Sequence, residues 1–299
     1  MKKQGLIFLA LWFSWGLLRQ PERASAAAGE GLLLCAQTVI PSLFPFFVVV
    51  SLLIQMGAAA RLQRLFAPFM DPLFGLRGVC AAPLIAGLVG GYPSGARAAA
   101  ELFEQGALTR EEAERCLAFV NNCGPAFILS YVGAGVLHSS RAGVYLYLIH
   151  ALAAFLTGML LRGRGGERGR LPLPPSGGER PKSLAQMFTG AVTGSFSAVL
   201  QICAFVVLFR TAAALLPGQL PAAALGAVEM VSGIAVLPAG PEGFIAAAGI
   251  LGWGGLSVHC QTMAVLGTLR ARRHWLGKGL QCLISVALAA LAVKAGLVV

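Results

Sequence analysis

The sequence predicts an all-α, polytopic membrane protein, and two features of its composition support this fold class. Of the 299 residues, 57% are hydrophobic and only 12% are charged, whereas a soluble domain carries about 25% charged residues. Six long segments contain no Asp, Glu, Lys or Arg: residues 31–60, 116–140, 142–161, 183–209, 211–228 and 243–269. Because several exceed the roughly 20 residues that a spanning helix needs, we expect a multi-pass protein of the cell membrane, with the lipid bilayer as its immediate partner.

The charge and the cysteines exclude other classes of partner and cofactor. The net charge of +11 comes from basic residues at helix ends, without the aromatic residues or finger spacing of nucleic-acid readers, so no nucleic acid is expected. The cysteines, at positions 35, 80, 116, 123, 203, 260 and 282, form no C-x-x-C pair. We interpret them as reduced packing residues and expect neither a metal nor another cofactor.

The N-terminal 26 residues have the pattern of a signal peptide. Two lysines precede an apolar run at 5–18, and Ala24-Ser25-Ala26 supplies small residues for cleavage. Three charged residues separate the apolar run from that site: Arg19, Glu22 and Arg23. This separation favours a retained first helix, with cleavage as the alternative.

The basic segment 162–182 divides the chain into a membrane repeat at 1–161 and a second at 183–299. The positive-inside rule predicts that this linker is cytoplasmic. The same rule predicts a cytoplasmic position for three further groups: Lys2-Lys3, the pair Arg61 and Arg64, and the cluster Arg270, Arg272, Arg273 and Lys278.

One threading satisfies these constraints with seven crossings and two re-entrant hairpins. It has spans at 5–18, 38–57, 142–161, 196–216, 221–238 and 275–298, a broken span at 79–105, and interfacial pieces near 24–37 and 184–195. An amphipathic stretch occupies 61–76, and helix-break-helix hairpins occupy 109–137 and 243–269. Because the order of elements repeats with opposite direction, the sequence predicts two inverted repeats with broken helices, whose substrate site would lie at their interface.

The first helix break has the sequence Gly90-Gly91-Tyr92-Pro93-Ser94-Gly95. Such a break would leave backbone groups unpaired in lipid, so it is expected inside protein or along a wet cavity. Ser94 is predicted to cap a helix at 95–105, whose N-terminus would attract an anion, and Arg97 would add a full positive charge. The candidate substrate-binding residues here are Gly91, Tyr92, Ser94, Gly95 and Arg97. The alternative is a proline kink with close helix packing.

The second break, Asn121-Asn122-Cys123-Gly124-Pro125, follows a predicted capped helix. Thr109 with Glu111 and Glu112 predicts the helix start, and Pro125 begins the next helix. The adjacent carboxamides of Asn121 and Asn122, together with Gly124, suit a polar ring or a carboxylate. Helix capping and interhelical bonding by the two Asn residues are the alternatives.

The second half contributes five further candidates. Glu229 is the single acid in residues 221–238, and a buried membrane carboxylate is a functional candidate by default. It could couple to a proton or cation, or neutralise a basic partner such as Arg97, and a structural ion pair is the alternative. Ser232-Gly233 corresponds to Ser94-Gly95, and Trp253–Leu256 corresponds to the second break. The remaining candidates are Ser232, Gly255, Ser257 and His259, and a structural role for the histidine is the alternative.

These motifs resemble those of YlbJ-type sporulation integral membrane proteins. The resemblance rests on residues 40–46, 90–96, 109–125 and 252–259. It implies nucleoside-recognition "gate" domains, a plan similar to concentrative nucleoside transporters, and movement of dipicolinic acid across the outer forespore membrane. Cys123 stands where a serine is expected in relatives.

The sequence therefore predicts a secondary transporter for a small planar carboxylate, dipicolinic acid by the resemblance. The N-termini of the half-helices after Ser94 and Pro125, with Asn121 and Asn122, would hold the carboxylates. The alternatives are a carrier for nucleosides or other polar solutes and a non-transporting scaffold of spore-envelope assembly, and a homo-oligomer is compatible with each. An enzyme is not expected, because the G-x-S-G, H-E-x-x-H and Walker patterns are absent.

Overall fold

The computed structural model describes residues 3–56, 58–163, 183–216, 218 and 220–298, and every regular element within these ranges is helical. Within them, five helices are long and apolar enough to cross a membrane: Pro21–Leu53, Ser140–Leu160, Leu184–Ala214, Pro241–Val265 and Arg272–Lys294. A bent pair, Arg61–Phe74 and Gly78–Gly90, raises the number to six if it counts as one span. The predicted all-α, multi-pass membrane class is confirmed.

The first half contains two long helical units and a series of short, interrupted helices. Its elements are α1 (Lys3–Arg19), α2 (Pro21–Leu34), a π-helical turn (Cys35–Val39), α3 (Ile40–Gln55), α4 (Ala58–Phe74), α5 (Ala81–Gly90), α6 (Ser94–Glu104), α7 (Arg110–Cys116), a π-helix (Ala126–Val136) and α8 (Ser140–Leu160). The predicted amphipathic stretch 61–76 corresponds to α4, which bends by 113° into the segment that contains α5.

The second half presents a similar order of elements. Its helices are α9 (Leu184–Ala214), α10 (Ala222–Val228), α11 (Met230–Ala235), α12 (Pro241–Trp253), α13 (Gly255–Val265) and α14 (Arg272–Lys294). A long helix, a short broken pair, a second broken pair and a final apolar helix follow one another in both halves. The opposite orientation of the halves, and their division at 162–182, stay predictions, and residues 164–182 lie outside the described residues.

Two predicted interfacial pieces are wrong. Residues 24–37 belong to the continuous helical unit from α2 through the π-turn into α3, and residues 184–195 form the first third of α9. The unit from α2 to α3 packs along α9. Arg210 Nη2 of α9 donates to Glu30 Oε2 of α2 at 2.7 Å between them. Each unit is long enough to cross the bilayer with a strong tilt.

The predicted re-entrant hairpin at 243–269 is also different in the structure. Helices α12 and α13 together form one candidate span of 25 residues, interrupted at Gly254 and Gly255, whose φ angles are 93° and 77°. Glycine adopts such positive φ angles with little strain, so the helix is interrupted at these two residues. The break remains, but the two helices continue in one general direction.

The predicted start of the helix before the second break is confirmed. Thr109 and Glu112 form a reciprocal capping box, in which the Thr109 side chain accepts from the Glu112 amide and the Glu112 carboxylate accepts from the Thr109 amide. Glu112 also accepts two hydrogen bonds from Arg77, each 2.6 Å long. Helix α7 is thereby fixed to the turn before α5.

Candidate functional site

The two helix breaks of the first half meet at their glycines. Gly91 ends α5 with φ of 77°, and a methyl group added there would lie 3.0 Å from the Gly124 nitrogen. Backbones approach this closely only where side chains are absent. The structure therefore brings the loops 91–93 and 121–125 into direct contact.

A small inner cavity lies where these loops face the second half. Its volume is about 40 Å³, and its polar lining comes from Tyr92, Glu229, Ser257 and Gln261. Gly91 and Gly124 supply backbone, and aromatic side chains including Phe47, Phe127 and Phe205 supply the apolar wall. Both halves of the chain thus contribute to the lining of one cavity.

A larger, more open cavity of about 500 Å³ adjoins it. Tyr92 and Gln261 line both cavities and so stand at their boundary. The larger cavity is lined by Ser94, Arg97 and Glu101 of α6 and by polar residues of α9, among them Ser195 and Gln201. It offers a solute both charges and several hydroxyl or amide groups.

Glu229 occupies the break between α10 and α11 and is 2% exposed. Its carboxylate accepts from the Val231 amide at 3.1 Å, the Ser232 amide at 2.6 Å and the Ser257 hydroxyl at 3.4 Å. Arg97 lines the larger cavity, and within the described residues no ion pair joins it to Glu229. The carboxylate is stabilised by backbone amides instead.

Ser94 does not cap α6 as the sequence predicts. The helix begins at Ser94 itself, the preceding N-cap position is Pro93, and no side chain caps the helix there. The Ser94 hydroxyl is therefore available to the larger cavity. Gly95 has a packing role, because an added methyl group would collide with the Val120 carbonyl.

Asn121 and Asn122 lie behind the cavities and line neither of them. Asn122, which is 0% exposed, donates to the Phe119 carbonyl at 2.8 Å and accepts from Gln281 at 2.9 Å. Asn121 donates to Thr262 at 2.8 Å. These carboxamides connect the second break to α13 and α14 and do not face either cavity.

Lys278 was predicted to lie in a cytoplasmic basic cluster, but the structure places it inside the helix bundle. It is 1% exposed and lies in α14, where its ammonium donates to Gln281 Oε1 at 2.8 Å, the Tyr92 hydroxyl at 3.1 Å and the Asn121 carbonyl at 3.3 Å. The positive-inside rule reads composition near helix ends and cannot tell which face a residue occupies. The available signal was a lysine followed one turn later by Gln281 on the same helix face.

The last candidates of the second half divide between the cavity and the packing around it. Ser257 lines the inner cavity, whereas Ser232 is fully buried and Gly255 packs against the Met230 and Gly226 backbone. His259 lies outside both cavities, with its Nδ1 2.9 Å from His274 Nε2 and its ring between Trp253 and Trp275. The structure therefore does not bring His259 to the candidate site.

Fold and site together define a multi-pass membrane protein in which interrupted helices surround two cavities whose linings include polar side chains. Residues 36–138 match the family model described as Gate, nucleoside recognition, a range that includes both breaks of the first half. Over 218 residues the chain is 29% identical to the sporulation integral membrane protein YlbJ of Bacillus subtilis (strain 168). The match covers 67% of this chain and 53% of that protein. The predicted resemblance is confirmed.

The chain spans about half the length of the curated relative it matches. No solved structure matches the chain. The matches show that residues 36–138 are similar to the Gate family model and that the chain is similar to a sporulation integral membrane protein.

Proposed function

We propose that this protein is a secondary transporter for a small polar solute during spore formation, with a planar carboxylate such as dipicolinate as the leading substrate. The observation that carries the proposal is the pair of adjoining cavities at the contact of the helix breaks. Transporters bind substrates where half-helices and unwound backbone meet. The similarity to a sporulation protein supports the setting.

The larger cavity is the better first docking place for an anion. Arg97 offers a guanidinium that can hold a carboxylate through two parallel hydrogen bonds, and the Ser94 hydroxyl lies on the same helix and the same cavity wall. Tyr92 and Phe47 provide aromatic surface at the boundary with the inner cavity. A flat aromatic acid would thus meet charge at one end and rings at the other.

A nucleoside or related hydroxyl-rich solute is the second candidate, and Glu229 favours it. A carboxylate that faces the inner cavity would repel an anion but would accept hydrogen bonds from sugar hydroxyls. The description of the Gate model, nucleoside recognition, supports this alternative. A non-transporting scaffold has less support, because it would not require two polar cavities at the helix breaks.

The test is ligand-induced thermal stabilisation of the purified full chain, with dipicolinate compared with uridine and adenosine. We expect dipicolinate to stabilise the wild type, and Arg97→Gln to weaken its binding by about 10- to 100-fold, the equivalent of one charged hydrogen bond. Arg141→Gln is the matched control, because Arg141 is exposed and contacts the Tyr145 ring away from both cavities. Stabilisation by nucleosides alone would select the second candidate, and stabilisation by neither class would count against both.

A further inference from the structure

Lys278 is buried inside the helix bundle. The number of hydrogen-bond acceptors around its amino group equals the number of N–H donors of an ammonium. An ammonium has three N–H donors. Three acceptors lie within hydrogen-bond distance of Lys278 Nζ: the Tyr92 hydroxyl, the Asn121 carbonyl and Gln281 Oε1. A neutral amine would keep two N–H donors, so loss of the proton would remove one of the three N–H contacts and leave a lone pair to which the Tyr92 hydroxyl could turn from Leu251.

No carboxylate balances this charge among the residues that the structure describes. The titratable groups around it come from every element that packs there: Tyr92 from the first break, Cys123 from the second, His150 from α8, His259 from α13, and His274 and Cys282 from α14. Helix α12 contributes the Leu251 carbonyl, which accepts from Tyr92 at 3.1 Å. A buried charge without a counter-charge is costly, so it is either balanced by an incoming anion or given up as a proton.

Tyr92 connects Lys278 to the cavities. Its hydroxyl accepts from the ammonium and donates to Leu251, while the residue lines both the inner and the larger cavity. The ammonium also lies 5.2 Å from the centre of the Tyr92 ring, within the range of a cation–π contact. A change at Lys278 would therefore alter the boundary between the two cavities.

The second break responds to the same group. Lys278 donates to the Asn121 carbonyl, and Gln281, which accepts from Lys278, donates to Asn122. One protonation event on α14 would thus act on both breaks of the first half.

We propose that Lys278 is the proton-binding residue of this protein and that it couples proton movement to passage of the solute through the cavities. With the proton bound, the ammonium holds both breaks in the present arrangement. When the N–H bond breaks, the electron pair stays on nitrogen, the proton passes to water at the cavity boundary beside Tyr92, and one of the three N–H contacts is lost. The coupling part rests on the proposed transport function, whereas the proton site itself does not.

The proton site is tested by NMR of the purified full chain with isotope-labelled lysine side chains. The sequence has lysines at positions 2, 3, 182, 278 and 294, and the Lys278 signal is assigned by its absence in Lys278→Met. We expect this signal to change between the charged and neutral forms between about pH 5 and pH 9, below the pH range in which a lysine side chain in water loses its proton. A Lys278 signal that stays charged throughout this range would overturn the proposal, whatever transport measurements give.

Coupling is tested in proteoliposomes with labelled dipicolinate and uridine as probes. We expect Lys278→Met to keep solute exchange across the membrane. The accumulation that a pH gradient drives should fall by at least about tenfold in this variant. Lys294→Met, on the same helix and exposed, should keep both. Gradient-driven accumulation by Lys278→Met at the wild-type level would overturn the coupling.

A second variant covers the case in which Lys278→Met does not fold. Tyr92→Phe keeps the lysine and the ring, so we expect it to fold. It removes one acceptor from Lys278, so the lysine signal whose titration midpoint moves in this variant identifies Lys278 without the Met variant. An unmoved midpoint would contradict the link through Tyr92. If the wild type moves neither probe while Lys278 still titrates, the proposed transport function fails and the proton site stands.

Discussion

Gly91 and Gly124 lie backbone to backbone, so that a methyl group on Gly91 would reach the Gly124 nitrogen at 3.0 Å. Gly91 also has φ of 77° and ψ of −171°, a combination that is essentially restricted to glycine. Two separate requirements, conformational and steric, thus fall on one residue at the contact of two helix breaks.

Gly91→Ala should therefore destabilise the protein. The backbone strain alone costs on the order of 1–3 kcal/mol, and the close approach adds to it. Thermal unfolding in detergent measures the change. Gly279→Ala is the matched control, because an added methyl group there meets nothing within 4 Å and alanine is favoured over glycine in a helix. Equal stability of the two variants would contradict the packing of the breaks.

Glu229→Gln separates the two candidate substrates. The substitution removes a negative charge beside the inner cavity but keeps one oxygen that can accept from the Val231 or Ser232 amide. Binding of dipicolinate should become several-fold tighter, and binding of uridine weaker by about 1–3 kcal/mol if a hydroxyl loses its partner. Titrations of the purified variant with both ligands measure this. A change in the same direction for both would mean that Glu229 acts on the fold and not on the ligand.

Asn122 and Gln281 should be energetically coupled, because the Gln281 amide donates to Asn122 Oδ1 at 2.9 Å in a buried position. Each change to Ala should cost about 1–3 kcal/mol of stability, and the double variant should cost less than the sum by about 0.5–3 kcal/mol. The control cycle pairs Asn122→Ala with Gln201→Ala, which lines the larger cavity and should be additive. Additive losses in the first cycle would rule out the contact.

Glu112 should make stability depend on pH in the acid range. It lies in α7, outside the candidate spans. Burial raises the pKa of its carboxyl, but hydrogen bonds from Arg77 and Thr109 and the Arg77 charge together bring the pKa below 4.5. Because the folded-state pKa is lowered, ionised Glu112 stabilises the fold above about pH 4.5, and this contribution is lost as pH falls through the folded value.

Glu112→Gln should therefore lose about 1–3 kcal/mol near neutral pH and show a weaker further loss in acid than the wild type. Denaturation measured between about pH 3 and pH 7 checks both effects. Glu111→Gln, an exposed neighbour in the same helical turn, should retain the wild-type profile. An identical acid profile in Glu112→Gln would show that the pair with Arg77 does not contribute.

Helix α8 should place its ends on opposite sides of the membrane, because it is a candidate span of 21 residues. Single cysteines at Ser140 and Arg162, both exposed, should label from opposite sides, with position 162 cytoplasmic by its basic neighbours. The background needs Cys260→Ser, because Cys260 is exposed. Labelling of both positions from one side would refute the span, and labelling of position 162 from outside would refute the predicted side of the linker.

Local signals in the sequence were sufficient for some elements. The Thr109 capping box is encoded within four residues, so its prediction needs no tertiary information. The glycine-rich breaks were equally visible, since Gly91 and Gly124 interrupt apolar sequence. Their mutual contact was expected from the transporter plan, and the structure supplies its geometry.

Features that depend on helix register were not predictable in the same way. The sequence predicts an interfacial piece near 24–37 and a separate span at 38–57, but a π-turn at Cys35–Val39 joins α2 to α3 just before Pro41, and its wider turn relieves the proline clash. Lys278 was assigned to the wrong environment because its burial depends on how α14 rotates against α8 and α12. Such rotation is set by packing between distant segments.

The volume of the inner cavity determines the thermodynamic position of any solute that enters it. About 40 Å³ holds water molecules but no six-membered ring, so a solute at that depth requires a form of the protein in which the breaks lie further apart. Its measured dissociation constant is then the intrinsic constant divided by the fraction of molecules already in the wider form. A change that loosens the contact of Gly91 with Gly124 would increase the fraction of the wider form and so tighten binding, although neither residue need contact the solute. A more stable closed state therefore means a lower affinity for the solute.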